Sequence, residues 1–81
     1  MNHLVRSAKQ LGHVIKLRRV ERNLSQKELG LKANLRQATI SEIESGKNAN
    51  MDSLVAIMVA LNLEMIVRDR TEADKKIEDI F

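Results

Sequence analysis

The chain has no cysteine and one aromatic residue, Phe81, among 81 residues. Without cysteine there can be no disulfide, and His3 and His13 have no companion His, Cys or carboxylate at metal-ligand spacing. A structural zinc site is therefore not expected. The shortage of aromatics argues against single-stranded nucleic acid, whose bases usually stack on aromatic rings. No run of eighteen apolar residues and no signal-peptide pattern occurs, so the reading is a cytoplasmic chain with no membrane partner. No nucleophile elbow, metal motif or phosphate loop links the serines and histidines, so no catalytic residue, metal or cofactor is assigned and an enzyme is not expected.

What remains is a small aliphatic and methionine core. A chain of this length buries roughly 60–65% of its unfolded surface, so close helix packing or a second copy must supply stability. The net charge of +3 hides a division. Residues 1–47 hold ten Lys or Arg against four Asp or Glu, a net +6, and residues 48–81 hold four against seven, a net −3. A basic half attracts phosphate without sequence preference, and an acidic half offers a different surface to a different partner.

Helix signals dominate. Ser7 can cap a first helix to about Arg22, with Ala8, Leu11 and Ile15 facing inward and Gly12 permitting close approach of a neighbour. Its basic amphipathic face could suit a membrane surface, but the core needs the apolar stripe. Asn23 suits the left-handed turn that follows. Ser25 with Glu28 three residues on forms a capping box, opening a helix from Gln26 to about Ala33 that Asn34 ends. A further helix spans about Gln37 to Ser45, with Ile40 and Ile43 inward and Gly46 after it. Asn50 can cap the next, Met51 to Leu61, where Met51, Leu54, Ile57 or Met58, and Leu61 recur at helical spacing and Asn62 closes the run. Residues 63–69 switch to period two. Leu63, Met65 and Val67 alternate with Glu64, Ile66 and Arg68, the pattern of a half-buried strand, and Ile66 belongs to the same segment.

One strand alone leaves its backbone groups unpaired, so its simplest partner is the same strand of a second copy. The expected organisation is an N-terminal arm over 1–6, a helical domain over 7–62, a dimerisation strand over 63–70 and a flexible tail over 71–81. The fold class is mostly all-α: four to five helices, with one C-terminal strand pairing across a homodimer.

Two helices joined at Asn34, carrying LSQKEL and then ATISEIESGK, resemble the Xre and lambdoid-repressor family of helix-turn-helix proteins over about Leu11 to Leu61. The following NLEMIVRDR is similar to the HipB-like antitoxin branch. The resemblance implies a lambda-repressor-like domain that represses transcription from an inverted-repeat operator in double-stranded DNA, close to the nucleoid. It also implies a HipA-like Ser/Thr kinase toxin as partner. A free-standing phage-type regulator and a DNA-inert interaction domain of the same fold are the alternatives.

The first residues of the second helix of such a motif reach base edges in the major groove. Gln37 suits adenine, Ala38 and the Thr39 methyl suit thymine, Ser41 can donate or accept, and Glu42 can accept from cytosine or repel a misplaced phosphate. Phosphate contacts are expected from Gln26 and Lys27 at the start of the preceding helix, from Arg36, and from Lys47 and Asn48 in the following loop. Arg36 departs from the family pattern, since relatives often place a Ser or Thr cap there, and Gly30 stands where alanine is usual. The family also implies an ion pair between Arg19 and Glu44 that fixes the angle between helices. Ile80 and Phe81 are candidates for docking a protein partner.

Overall fold

A computed structural model describes residues 2–47 and 49–71. Four helices form: α1 (Ala8–Glu21), α2 (Gln26–Ala33), α3 (Gln37–Glu44) and α4 (Met51–Ala60). Each begins at a residue with extended backbone, and three of those residues hydrogen-bond the first turn. Ser7 accepts from the Gln10 amide, Ser25 from Glu28, and Asn50 from Ser53. At α2 the capping box is complete, because the Glu28 carboxylate also accepts from the Ser25 amide at 2.9 Å. Arg36 opens α3 with no side-chain cap.

The helix ends are equally local. Asn23, Asn34 and Asn62 all adopt the left-handed conformation, with φ of 56°, 57° and 56°, and Gly46 follows α3 at φ +84°. Asparagine tolerates this region better than other side chains with a Cβ, so each of these residues turns the chain sharply into the next segment.

α3 packs against both α1 and α2, and α4 packs on α2. The core between them consists of Ile15, Leu29, Ile40, Ile43, Ile57 and Leu61, all at most 3% exposed, with Leu11, Leu24, Leu35, Leu54, Met58 and Leu63 packed around it. Two glycines set how closely the layers meet. A Cβ on Gly12 would land on the Ile43 carbonyl oxygen and 2.8 Å from that of Glu44, so α1 lies directly against the last turn of α3. A Cβ on Gly30 would stand 2.6 Å from the Leu35 carbonyl oxygen. Gly30 in turn accepts from the Leu35 amide at 2.8 Å, so the turn leaving α2 folds back onto the helix.

Two residues expected inside are outside. Ala8 is exposed, because the buried face of α1 begins at Leu11 one turn later. Met51 is 63% exposed. The inward line of α4 is Ser53, Ile57 and Leu61, flanked by Leu54 and Met58, and at ~100° per residue Met51 lies about a third of a turn from Ile57 at its centre.

Leu63 still reaches the core, and its amide closes α4 on the Met58 carbonyl at 2.8 Å. Beyond it, residues 64–71 carry neither helix nor ladder, and no strand forms among the described residues. A ladder needs a second row of donors and acceptors, which no other described residue brings to the segment. Met65, Ile66 and Val67 are 52%, 70% and 94% exposed, so the described residues do not cover the expected half-buried face. Ile80 and Phe81, the candidate docking pair, lie outside the described residues, as does Asn48.

Candidate nucleic-acid interface

α2 and α3 meet at the Asn34 turn, and the two carry most of the residues expected to meet DNA. On α3 the buried line is Ile40 and Ile43. Gln37, Ala38, Ser41 and Glu42 are exposed, and Thr39 is half-buried at the flank. All five share the side away from the core or border on it, as ~100° per residue requires. The Ser45 hydroxyl is spent on the Glu42 carbonyl at 2.9 Å, closing the far end of the helix.

The N-termini of both helices carry free donors. Ser25 and Glu28 satisfy each other at α2, but the Gln26 and Lys27 amides have no hydrogen-bond partner among the described residues. At α3 the first amides in use are those of Thr39 and Ile40, both bonded to the Arg36 carbonyl, which leaves the Gln37 and Ala38 amides free. Unpaired N–H groups at the positive end of a helix dipole suit an anionic oxygen. Around them Lys27, Arg36 and Lys47 are exposed and have no acidic partner among the described residues. Because Arg36 does not cap α3, its charge remains available at the turn.

One buried ion pair ties the motif to α1. The Arg19 guanidinium grips Glu44 through Nε to Oε2 at 2.6 Å and Nη2 to Oε1 at 3.0 Å, while Nη1 donates to the Leu24 carbonyl at 2.8 Å. The two side chains are 10% and 4% exposed. Burying such charges is costly, but a two-point grip with a third N–H donated to the Leu24 carbonyl offsets much of that cost and holds one geometry. No buried side-chain nitrogen or oxygen among the described residues lacks a partner.

Sequence reasoning missed one member of this cluster. The Gln26 side chain, assigned to phosphate, is half-buried and donates from Nε2 to Glu44 Oε1 at 3.2 Å. Gln26 and Glu44 are eighteen residues apart, and no spacing rule links them. Glu28 is the one described group whose titration is clearly displaced. The Ser25 amide and then the Ser25 hydroxyl hold its carboxyl below the usual 4.5, against a small opposing effect of desolvation. His3 and His13 are both exposed, and His3 Nδ1 lies 2.9 Å from Arg18 Nη2, where the N-terminal arm lies back along α1. Among the described residues no group of three or more His, Cys, Asp or Glu could hold a metal ion, and no helix is long and apolar enough to cross a membrane.

A compact helix pair with an uncapped basic entry, an exposed polar face and a buried strut to α1 defines a helix-turn-helix DNA-binding regulator. A family model described as helix-turn-helix matches residues 15–67. Solved structures similar to the chain include a complex of a substituted HipB with an O2 20mer, at 30% identity and a TM-score of 0.80 over 88% of this chain and 100% of that one. A HipA–HipB–O2–O3 complex is similar at 31% identity and a TM-score of 0.79, over 86% and 100%. A mutant of the restriction-modification controller protein C.Esp1396I shares 36% identity and a TM-score of 0.64, over 70% and 77%. A comparison with curated proteins finds no match. The chain belongs to the Xre-like helix-turn-helix family and is similar to its HipB antitoxins.

Proposed function

We propose that the chain is the HipB-like antitoxin of a toxin–antitoxin operon, a homodimer that represses its own promoter and binds a HipA-like Ser/Thr kinase. The observation that carries the DNA half is the meeting of four amides, at Gln26, Lys27, Gln37 and Ala38, and three cations, Lys27, Arg36 and Lys47, none with a hydrogen-bond or acidic partner among the described residues, around one exposed polar face. In this reading Gln37, Ala38, Thr39, Ser41 and Glu42 read base edges, and the amides and cations hold the phosphates that set their register.

The dimer reading rests on exposed apolar surface. Met51, Val55 and Val59 recur at i, i+4 and i+8 along the outer side of α4, at 63%, 49% and 73% exposure, and Met65, Ile66 and Val67 lie beyond its end. Exposed apolar residues of this kind suit an interaction site, and residues 63–70 carry a strand pattern with no partner strand among the described residues. Pairing them across a twofold axis makes the target an inverted repeat, with half-sites about one helical turn apart or a multiple of it.

The kinase half rests on similarity to a structure that contains HipA together with HipB. The test is a mobility-shift titration against the palindromic sequence upstream of the gene and a random duplex of equal length, with the mass in solution measured by light scattering. Preference for the palindrome by a dimer supports the regulator, and co-purification with the product of a kinase-like neighbouring gene supports the antitoxin. A monomer indifferent to sequence would overturn the reading.

A further inference from the structure

We infer that Glu44 is a positioning residue for DNA binding: its carboxylate, held by Arg19, sets the orientation in which the Gln26 amide meets the DNA backbone. This deepens the DNA-binding reading of α2 and rests on it. Three helices converge on the carboxylate. Arg19 of α1 donates to both of its oxygens, and Gln26 of α2 donates to Oε1 at 3.2 Å.

Chemistry decides which way the Gln26 amide faces. A carboxylate only accepts, so it can meet the nitrogen end of the amide and not the oxygen end. The carboxylate itself cannot turn, because Arg19 occupies both oxygens and is anchored on the Leu24 carbonyl, and at 4% exposure little water competes. One N–H of Gln26 is thereby consumed. The second N–H remains for an outside acceptor, beside the unpaired Gln26 and Lys27 amides, so the first turn of α2 offers several donors to one phosphate. Arg19 also neutralises Glu44, so the carboxylate can stand this close to a phosphate site without adding net repulsion there.

The consequence is a mechanical link. Glu44 ends the helix that reads bases, and through Gln26 it orients a group that holds the backbone. Register and readout are then set by the same carboxylate.

The test is a double-mutant cycle measured by fluorescence anisotropy with palindromic and random duplexes over a salt series. Four proteins enter it: the unmodified chain, Gln26→Met, Glu44→Gln and the double variant, each checked for folding by circular dichroism. Each single change is expected to weaken both duplexes about tenfold, the size of one charge-assisted hydrogen bond, with the double variant no weaker than Gln26→Met. Losses that multiply would show Glu44 acting independently of Gln26 and overturn the inference, as would a Glu44→Gln variant that binds normally.

Should Glu44→Gln fail to fold, nitrogen-15 relaxation on the unmodified, unbound protein decides. The Gln26 side-chain amide is expected to be markedly more ordered than the exposed one of Gln37, and equal mobility would overturn the inference. An unmodified chain that binds neither duplex would overturn the DNA reading and this inference together, whereas binding with multiplied losses overturns this inference alone.

Discussion

Gln37 and Arg36 are neighbours in sequence, yet the proposed interface gives them different tasks. An amide can make a two-point contact with adenine, so Gln37→Ala is expected to cost about 1–3 kcal/mol of preference at one base pair and leave the other positions unchanged. Arg36 has no acidic partner among the described residues and makes no cap bond. Arg36→Ala should weaken all sequences alike and lower the slope of log K against log salt by about one. Binding titrations over a panel of single-base variants at three salt concentrations separate the two. Glu28 is a third case, in which chemistry at one residue reports on the fold. Its folded pKa lies below 4.5 because the Ser25 amide and hydroxyl favour the charged form. Its contribution to stability is therefore present above the unfolded pKa and lost as pH falls through the lowered folded value. The melting temperatures of the unmodified chain and Glu28→Gln should differ by a constant amount above pH 4.5 and converge below it, and a gap that persists at low pH would exclude this cause.

At the scale of elements, the close approach of α1 to α3 depends on Gly12. Alanine normally gains about 1 kcal/mol over glycine within a helix, but here the added methyl would meet the backbone carbonyls of Ile43 and Glu44, which cannot swing aside as a side chain can. Gly12→Ala is expected to destabilise the domain by about 1–3 kcal/mol in chemical denaturation, and to weaken DNA binding by moving α3 relative to α2. A neutral or stabilising result would mean that the helices part more easily than their packing implies. Helix limits were legible in the sequence because capping is local: Ser7, Ser25 and Asn50 act within three residues, and Asn34 and Asn62 turn on their own backbone angles. Facing was less legible. A count at i, i+3 and i+7 placed Met51 inside, whereas the contact with α2 selects the line through Ser53, Ile57 and Leu61. The Arg19–Glu44 pair entered through family resemblance, since the two residues lie twenty-five positions apart and no local rule joins them.

For the molecule as a whole, the exposed apolar residues of α4 and of 65–67 require a second copy in the proposed dimer. A charge placed on the segment should separate the copies without disturbing the core, because Val67 is 94% exposed in the single chain. Val67→Asp is expected to keep its helical circular dichroism, shift toward monomer in light scattering and lose preference for a two-half-site operator over a single half-site. A variant that remains dimeric would remove this segment from the interface.

By itself the sequence determined the four helices, their caps and their turns, the polar face of α3 and, having no cysteine, the lack of any disulfide, because these follow from residue type and short spacing. Only the tertiary structure decided that Gln26 rests on Glu44, that Gly12 and Gly30 are points of backbone contact and that Met51 faces outward. Those depend on which surfaces meet, and that is set by packing many side chains at once.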